Sequence, residues 1–220
     1  MKKTPQKIPP LNYDESWKMF ITLWLNPAIQ YFLPTIYEHI DWNREYIYLE
    51  DELEKLTTDD KKRRVDKLIK FNLKNDKKLL LLLHIEIQSH SPQTIAERMF
   101  HYGIKLMLKY PGYDLVSFIL YIGKEKYKDI HIYQPFQLSK SFQFIGEYYV
   151  LAEHSEDELI SLNSVIGYAL LLTLWINKQK KSGESRVEVL KRFIELLSQK
   201  NISIDEIKKL IEIAEILVTL

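Results

Sequence analysis

The 220-residue chain contains no cysteine and only six glycines. Without cysteine it cannot form disulfide frameworks, thiolate zinc sites or cysteine nucleophiles. No glycine-rich phosphate loop, Ser-His-Asp set or zinc signature occurs in it. The net charge of +1 argues against a protein that coats nucleic acid or membranes by bulk attraction, although it is compatible with a local basic patch. These absences leave a globular protein whose function must depend on oxygen and nitrogen side chains.

Long apolar runs are also missing. No segment approaches the roughly 20 apolar residues of a membrane span, and the longest candidate, 165–176, is typical of a buried helix. The first residues are basic but lack the apolar core of a signal peptide. We therefore expect a soluble, cytoplasmic protein with no membrane contact and a flexible tail over residues 1–13.

Residue patterns predict a mixed α/β region over residues 14–152. Aromatic residues at helical spacing predict a helix from Asp14 to about Leu33, split near Pro27 and ended by Pro34. The following "REYIYLEDELEKL" fits either an acidic helix or a short strand. A helix opened by Ser91 and Pro92 then precedes a buried strand at 114–123, which implies a right-handed crossover between parallel strands.

The rest of the chain predicts one more strand and then helices only. A strand is expected from Phe142 to Val150. Three helical stretches follow, at about 157–176, 184–200 and 203–218. We therefore predict a four-stranded mixed sheet flanked by helices, with a helical C-terminal extension over residues 153–220.

The stretch "KKRRVDKLIKFNLKNDKKLLLLLHIEIQ" predicts a β-hairpin with an unusual end. If residues 75–77 form its loop, residues that face each other across the two strands have numbers that add to 152. Asp66 then lies opposite Glu86. Because side chains alternate, one face of the hairpin is almost wholly apolar. The other face collects its polar residues at one end, namely Asp66 with His84, Glu86 and Gln88.

Two opposed carboxylates indicate a metal site. Their Cβ atoms would lie about 5 Å apart, and bare carboxylates at that distance repel, so that one tends to protonate. A divalent cation removes the conflict, and oxygen ligands with open positions suit Mg²⁺ or Mn²⁺. The alternative is that Asp66 and Glu86 pair with Arg63, Arg64 or Lys67 on a solvated face.

The ordered motifs "RRVDKLIKF", "HIEIQ" and "ERMFHY", preceded by "FLPTIY…IDW" and "YLEDELEKL", resemble a PD-(D/E)XK nuclease. More closely, they resemble the recombination-promoting nuclease family, whose members are also labelled transposases. The resemblance covers about residues 14–150. It implies a mixed sheet flanked by helices and a magnesium-dependent DNA endonuclease active in DNA recombination.

The resemblance also implies roles for individual residues. Asp66 and Glu86 would hold the metal, with the backbone carbonyl of Ile87 as a further ligand. Gln88 stands where the motif has lysine. Its amide can orient a water but cannot serve as a base, so the base would be a metal-activated water, the substrate phosphate or another acid. Glu52 is the candidate third carboxylate, in competition with Glu50 and Asp51.

Several further residues are expected around this site. His84 shares the face of Glu86 and fits a supporting partner of the metal ligands better than a ligand. Arg98 and Tyr102 share a face of the crossover helix. The resemblance places this helix beside the site, so both are candidate DNA-binding residues: Arg98 would hold a phosphate and Tyr102 would orient a neighbour. The alternative is an Arg98 paired with Glu97 or Glu86 and a Tyr102 in the core. A basic cluster offers further phosphate contacts, although a solvated charge run explains it too: Lys61, Lys62, Arg63, Arg64 and Lys67.

Two other functions remain open at this point. A nuclease-like fold weakened by Gln88 would act in DNA binding or self-association. A protein without a nucleic-acid role would use its apolar helix at 165–176 to form a homodimer. A likeness of fold does not choose among these functions, because function resides in the site.

Overall fold

A computed structural model describes residues 13–49, 67–86, 92–135, 143–182, 184–200 and 202–219. The helices are α1 (Tyr13–Leu23), α2 (Leu25–Phe32), α3 (Pro34–His39), α4 (Pro92–Lys109), α5 (Glu156–Ser161), α6 (Val165–Ser182), α7 (Arg186–Ser198) and α8 (Ile204–Thr219). The strands are β1 (Ile47–Tyr48), β2 (Lys67–Asn72), β3 (Lys78–Glu86), β4 (Asp114–Tyr121), β5 (Ile132–Tyr133), β6 (Phe144–Ile145) and β7 (Glu147–Val150).

Five of the described strands form one mixed sheet in the order β1-β2-β3-β4-β7. β2 is antiparallel to both β1 and β3, whereas β3, β4 and β7 run parallel to one another. The prediction of a mixed sheet flanked by helices is confirmed. The predicted strand number of four is wrong, because Ile47 and Tyr48 add a short edge strand beside β2. A separate ribbon pairs β5 with β6.

Helices cover both faces of this sheet. On one face, odd-numbered residues of β3 such as Leu81 and Leu83 join a core with α1, α2 and the C-terminal helices. On the other face, Leu80 and Leu82 pack with residues of α4. The strict alternation arises because successive strand side chains point to opposite faces.

The β2–β3 turn differs from the predicted one. The N–H of Asp76 donates to the Leu73 carbonyl at 3.0 Å, and the N–H of Leu73 donates to the Lys77 carbonyl at 2.9 Å. Asp76 has a φ of 63°, the left-handed conformation that aspartate tolerates better than most residues. The loop is therefore 74–76 instead of 75–77, a three-residue hairpin with a left-handed last position.

This turn shifts the ladder by two residues. Asn72 pairs with Lys78, so that paired residue numbers add to 150 instead of 152. Because side chains alternate with a period of two, the shift leaves each described residue on its predicted face. The predicted direct pairing of Asp66 with Glu86 does not fit this register. Asp66 itself lies outside the described residues.

The N-terminal helix is split in two, as Pro27 predicts. α1 ends at Leu23, and Trp24 leaves helical geometry with φ −121° and ψ 32°. Pro27 lies in the first turn of α2, where a missing N–H costs no intrahelical hydrogen bond. In an unbroken helix Pro27 would leave the Leu23 carbonyl without its N–H donor and its ring would clash with that carbonyl, so the split falls between Leu23 and Leu25. Pro34 begins α3, as a proline at the first helical position commonly does.

Two further predicted elements are divided. The helix expected over 157–176 is α5 and α6, separated by a turn in which Asn163 has a φ of 44°. The strand expected over 142–150 is β6 and β7, separated by Gly146. The N–H of Gly146 donates to the His131 carbonyl at 2.9 Å, which ties the ribbon to the sheet.

The C-terminal helices share a core with the sheet. Residues 165–176 of α6 are all buried, as their apolar sequence predicts. The Trp17 indole donates to the Thr173 hydroxyl at 3.2 Å, so that α1 and α6 are also joined by a buried hydrogen bond. The division of the chain at residue 152 stays a prediction. None of the helices in the described ranges is long and apolar enough to cross a membrane.

Candidate active site

The candidate site lies at the carboxyl ends of β3 and β4. Glu86 ends β3 and pairs with Tyr121, which ends β4. Since the two strands are parallel, their ends meet at one edge of the sheet. Helix α4 connects the end of β3 to the start of β4, so its N-terminal half begins beside this edge.

The face of β3 that carries the predicted polar residues is the face under α4. Leu68 of β2 and Leu80 and Leu82 of β3 lie in one apolar cluster with Met99 and Tyr102 of α4. This confirms the predicted alternation for the described part of the hairpin up to residue 83. Continued alternation predicts the same side for positions 84 and 86.

Arg98 and Tyr102 both lie on α4 but have different environments. Tyr102 is 8% exposed and packs in the apolar cluster, whereas Arg98 is half-buried. The buried ring of Tyr102 favours packing over the DNA contact that the sequence suggested. Arg98 is one turn closer to the end of β3, where a phosphate contact is expected.

Lys67 is the one member of the predicted basic cluster in the described residues. Its side chain is 8% exposed, and its Nζ lies 5.0 Å from the centroid of the Tyr48 ring. A buried ammonium over an aromatic face is a cation–π contact. This burial favours a packing role for Lys67, as it does for Tyr102, over the predicted contact with DNA.

Tyr121 is a site neighbour that sequence reasoning missed. It is 1% exposed and makes a T-shaped contact with Tyr127, with ring centroids 5.0 Å apart. Burial, followed by the proximity and hydrogen bond of Tyr127, raises the pKa of the Tyr121 phenol. A tyrosine phenol is already neutral near pH 7 at its ordinary pKa, so this shift extends the neutral range of Tyr121 to higher pH. No sequence signal marks Tyr121, because only the β3–β4 register places it opposite Glu86.

Strand β5 also escaped prediction, and the β5–β6 ribbon that it forms packs against α4. The Tyr133 hydroxyl donates to Glu97 Oε1 at 3.2 Å, and the Tyr133 ring lies 5.3 Å from that of Phe100. His101 Nε2 is 3.8 Å from the same carboxylate oxygen. The short β-branched and aromatic stretch "HIY" is the available sequence signal.

Most of the predicted site residues fall outside the described residues. These are the metal ligands Asp66, Ile87 and Glu52, the water-orienting Gln88, and the basic residues Lys61, Lys62, Arg63 and Arg64. His84 and Glu86 are described as backbone positions of β3. Their assignment to the site stays a prediction.

The chemistry of the predicted donor set fits a hard divalent cation. Two carboxylates and a peptide carbonyl supply only oxygen, which Mg²⁺ and Mn²⁺ prefer. Among the residues that the structure describes, no group of three or more His, Asp or Glu side chains is arranged to hold an ion. The predicted donors other than Glu86 are not among those residues.

Comparison with known proteins gives no relative. No protein-family model matches the chain, and neither the curated proteins nor the solved structures show a significant match. The fold and the residues themselves are therefore the basis for any functional statement.

Proposed function

We propose that this chain is a metal-dependent DNA endonuclease that hydrolyses phosphodiester bonds, of the recombination-promoting type that its motifs resemble. The supporting observation is the placement of Glu86 at the carboxyl end of β3, on an edge that it shares with β4 and the start of α4. A PD-(D/E)XK site requires an acid at this point of a mixed sheet. The described topology of hairpin, crossover helix and parallel strand meets that requirement.

In this proposal Asp66, Glu86 and the Ile87 carbonyl hold Mg²⁺ or Mn²⁺, with Glu52 as the candidate third carboxylate. In the observed register, directly paired residue numbers add to 150. Positions 66 and 86, whose numbers add to 152, would therefore be diagonal neighbours on one face of the sheet, about 7–8 Å apart. The proposal extends this ladder by one residue beyond Lys67. At that separation two carboxylates can reach one shared ion.

The remaining roles belong to neutral and basic side chains. The Gln88 amide orients a water for in-line attack on the phosphorus. Arg98 holds the phosphodiester by charge, and the basic residues 61–64 hold the flanking backbone, contacts that carry little sequence information. His84 supports the neighbouring ligands by hydrogen bonding.

When bound, the divalent ion lowers the pKa of a coordinated water and offsets charge that develops on the phosphoryl oxygens. The carboxylates of the chain fix the position of the ion, and Arg98 adds a second positive charge on the phosphate. Because Gln88 is neutral, it adds no positive charge of its own. The proposal therefore predicts activity that depends strictly on the added metal.

The test is nicking of supercoiled plasmid in Mg²⁺, in Mn²⁺ and in EDTA. We expect wild-type nicking in either metal and none in EDTA. Asp66→Asn and Glu86→Gln keep the side-chain size but remove the charge, and each should lower the rate at least about 100-fold. Glu195→Gln, an exposed carboxylate on α7, is the matched control and should keep wild-type activity.

Full activity in both site variants would discard the assignment of Asp66 and Glu86. No nicking by the wild type in either metal, with salt-dependent DNA binding that EDTA does not alter, would instead favour a protein that binds DNA without cleaving it.

A further inference from the structure

One row of residues crosses the sheet from the proposed site to an exposed aromatic side chain. His84 pairs with Ile119, and Ile119 pairs with Tyr148 on the edge strand β7. Neighbouring strands lie about 4.8 Å apart, so the backbone of Tyr148 is roughly 10 Å from that of His84. Val150, two residues further along β7, packs in the cluster under α4. Tyr148 therefore lies on the same side of the sheet as that cluster.

Tyr148 forms a parallel ring stack with His131. The ring centroids are 3.9 Å apart and the planes differ by 7°. Tyr148 is nevertheless 44% exposed. The stacked pair therefore presents aromatic surface to solvent near the proposed site.

The stack is held in place from both sides. The His131 carbonyl accepts the N–H of Gly146 at 2.9 Å, which joins the segment before β5 to the segment before β7. Ile130, directly before His131, is fully buried. The two rings are therefore positioned by backbone structure and by the core, without dependence on a ligand.

His131 has an unused polar atom. Its Nδ1 is buried and has no hydrogen-bond partner within the described ranges. Burial lowers the pKa of the imidazole, although the nearby carboxylates of Asp129 and Glu147 oppose that shift. Because Nδ1 is buried, it offers no hydrogen bond to a base at the surface, and His131 contributes to the platform as the neutral ring on which Tyr148 stacks.

Three lysines precede the stack in the loop after β4. Lys124, Lys126 and Lys128 are exposed, and no ion pair of theirs is found in the described part of the chain. Two acids in the same segment, Glu125 and Asp129, offset part of the positive charge of the three lysines. The loop therefore attracts anions only moderately. Tyr127 anchors the loop by its contact with the buried Tyr121.

From these positions we propose that Tyr148 and His131 form a stacking platform for an unpaired nucleotide base next to the phosphodiester that the site cleaves, with the loop lysines on the adjoining phosphates. Aromatic platforms beside basic groups are the usual means of holding single-stranded nucleic acid. The inference rests on the proposed nuclease function and adds its substrate class, a DNA with unpaired bases at the site.

The test measures binding in EDTA, so that no cleavage occurs. Fluorescence anisotropy measures the affinity for a labelled single strand of about 12 nucleotides and for a blunt duplex of the same sequence. That length lies within the range that single-strand-binding proteins cover. Tyr148→Leu should weaken single-strand binding about tenfold, as loss of one base stack predicts. It should change duplex binding less than about twofold, within the scatter of uninvolved surface residues.

Matched variants separate stacking from folding. Tyr148→Phe keeps the ring and should bind like the wild type. Tyr46→Leu alters a tyrosine of similar exposure, 41%, that packs on Phe71 on the opposite face of the sheet, and should also bind normally. Equal melting temperatures for the three variants exclude general unfolding.

The lysines are tested as a set. Replacement of Lys124, Lys126 and Lys128 by Gln should weaken binding of both oligonucleotides and lower the salt slope by up to about three, one for each lost phosphate contact. The matched set replaces exposed lysines elsewhere, Lys74 and Lys77 at the hairpin tip and Lys208 on α8, and should leave binding unchanged.

Three outcomes overturn the platform: no binding of single strands by the wild type, no effect of Tyr148→Leu, or an equal loss on duplex. Plasmid nicking in Mg²⁺ is measured on the same proteins. If the wild type nicks plasmid but Tyr148→Leu binds single strands normally, the platform is rejected and the nuclease function is retained. If Tyr148→Leu selectively weakens single-strand binding but the wild type nicks plasmid in neither metal, the nuclease function is rejected and the platform is retained.

Discussion

Glu86 lies directly opposite Tyr121 in the parallel ladder between β3 and β4. Tyr121 is almost fully buried, and its phenol, which is neutral at pH 7 even at the ordinary tyrosine pKa, has that pKa raised further by burial. The partner of Glu86 on β4 is therefore an uncharged group, which does nothing to offset a second carboxylate nearby. In the proposed site that charge is offset by a divalent cation, which leads to the first prediction.

Added Mg²⁺ should stabilise the wild-type protein. A ligand that binds only the folded state at 100 times its dissociation constant adds about 2.7 kcal/mol to the free energy of unfolding. For a chain of this size that corresponds to a rise of roughly 5–10 °C in melting temperature. Differential scanning fluorimetry with and without Mg²⁺ measures the rise independently of catalysis.

Glu86→Gln should remove most of this metal-dependent rise, while Glu195→Gln should retain it. The same rise in Glu86→Gln as in the wild type would show that the stabilising metal binds elsewhere.

Gly167→Ala should destabilise the fold by about 2–3 kcal/mol, as overpacking of a close contact does. A Cβ at this position of α6 would lie 2.7 Å from the Leu159 carbonyl oxygen and 2.9 Å from the Leu162 Cβ. Gly103→Ala is the control, because its Cβ would meet Leu115 at an ordinary 3.4 Å within helix α4. That variant should gain about 0.5–1 kcal/mol from the lower chain entropy of alanine. Urea unfolding at pH 7 compares the two, and equal stabilities would contradict the close packing of α5 on α6.

Glu156 should contribute to stability at neutral pH and lose that contribution in acid. Its carboxylate accepts hydrogen bonds from Lys178 Nζ and from the Trp175 indole, each at 2.8 Å. The Lys178 hydrogen bond, and then that of Trp175, hold its pKa below the usual value against the opposing effect of burial. A carboxyl with a lowered folded-state pKa stabilises above its unfolded pKa, and the effect disappears as the pH falls through the folded value.

Glu156→Gln should therefore lower the free energy of unfolding by less than about 1 kcal/mol at pH 7, because the side chain is 37% exposed and solvent screens its charge. The difference from the wild type should shrink steadily below about pH 4.5, the ordinary glutamate range. Glu153→Gln, an exposed carboxyl on the neighbouring turn, should show no such trend. If the difference in the free energy of unfolding between the wild type and Glu156→Gln grew in acid, the stabilising role of the ionised Glu156 carboxylate would be contradicted.

Asp76→Ala should destabilise the hairpin by about 1 kcal/mol, because alanine lacks the local hydrogen bonding that eases a left-handed backbone. Asp76→Gly should be neutral or stabilising, since glycine adopts a φ of 63° without strain. Both variants lose the exposed ion pair with Arg44, which contributes little. Thermal unfolding ranks them, with Lys74→Ala as the loop control. Equal effects of alanine and glycine would indicate that the ion pair, and not the backbone, matters at this turn.

Predictions from the residue pattern were correct for features that depend on one continuous segment of the chain. The alternation of 67–83 fixed which residues of the hairpin share a face, and the apolar run of 165–176 identified a fully buried helix. The split predicted at Pro27 also occurred, one turn earlier at Trp24, because a proline disturbs the carbonyl four residues before it. The predicted residue pairing of the hairpin, in contrast, was wrong. The left-handed Asp76 moved the hairpin register by two residues, which no count of turn residues could reveal.

The sequence by itself determined the chemistry offered by this protein: no thiols, a hairpin with acids and an amide at one end, and an adjacent helix carrying Arg98. Residue type and the face of a strand on which each side chain lies are local properties, so the alternation of side chains along a strand is enough to predict them. Tertiary structure alone decided which side chains meet. The β3–β4 register placed Tyr121 opposite Glu86, and the stack of His131 on Tyr148 arose from a loop that returns to the sheet edge. Such contacts depend on how distant segments bury their apolar surface together, so they are absent from any short stretch of the chain.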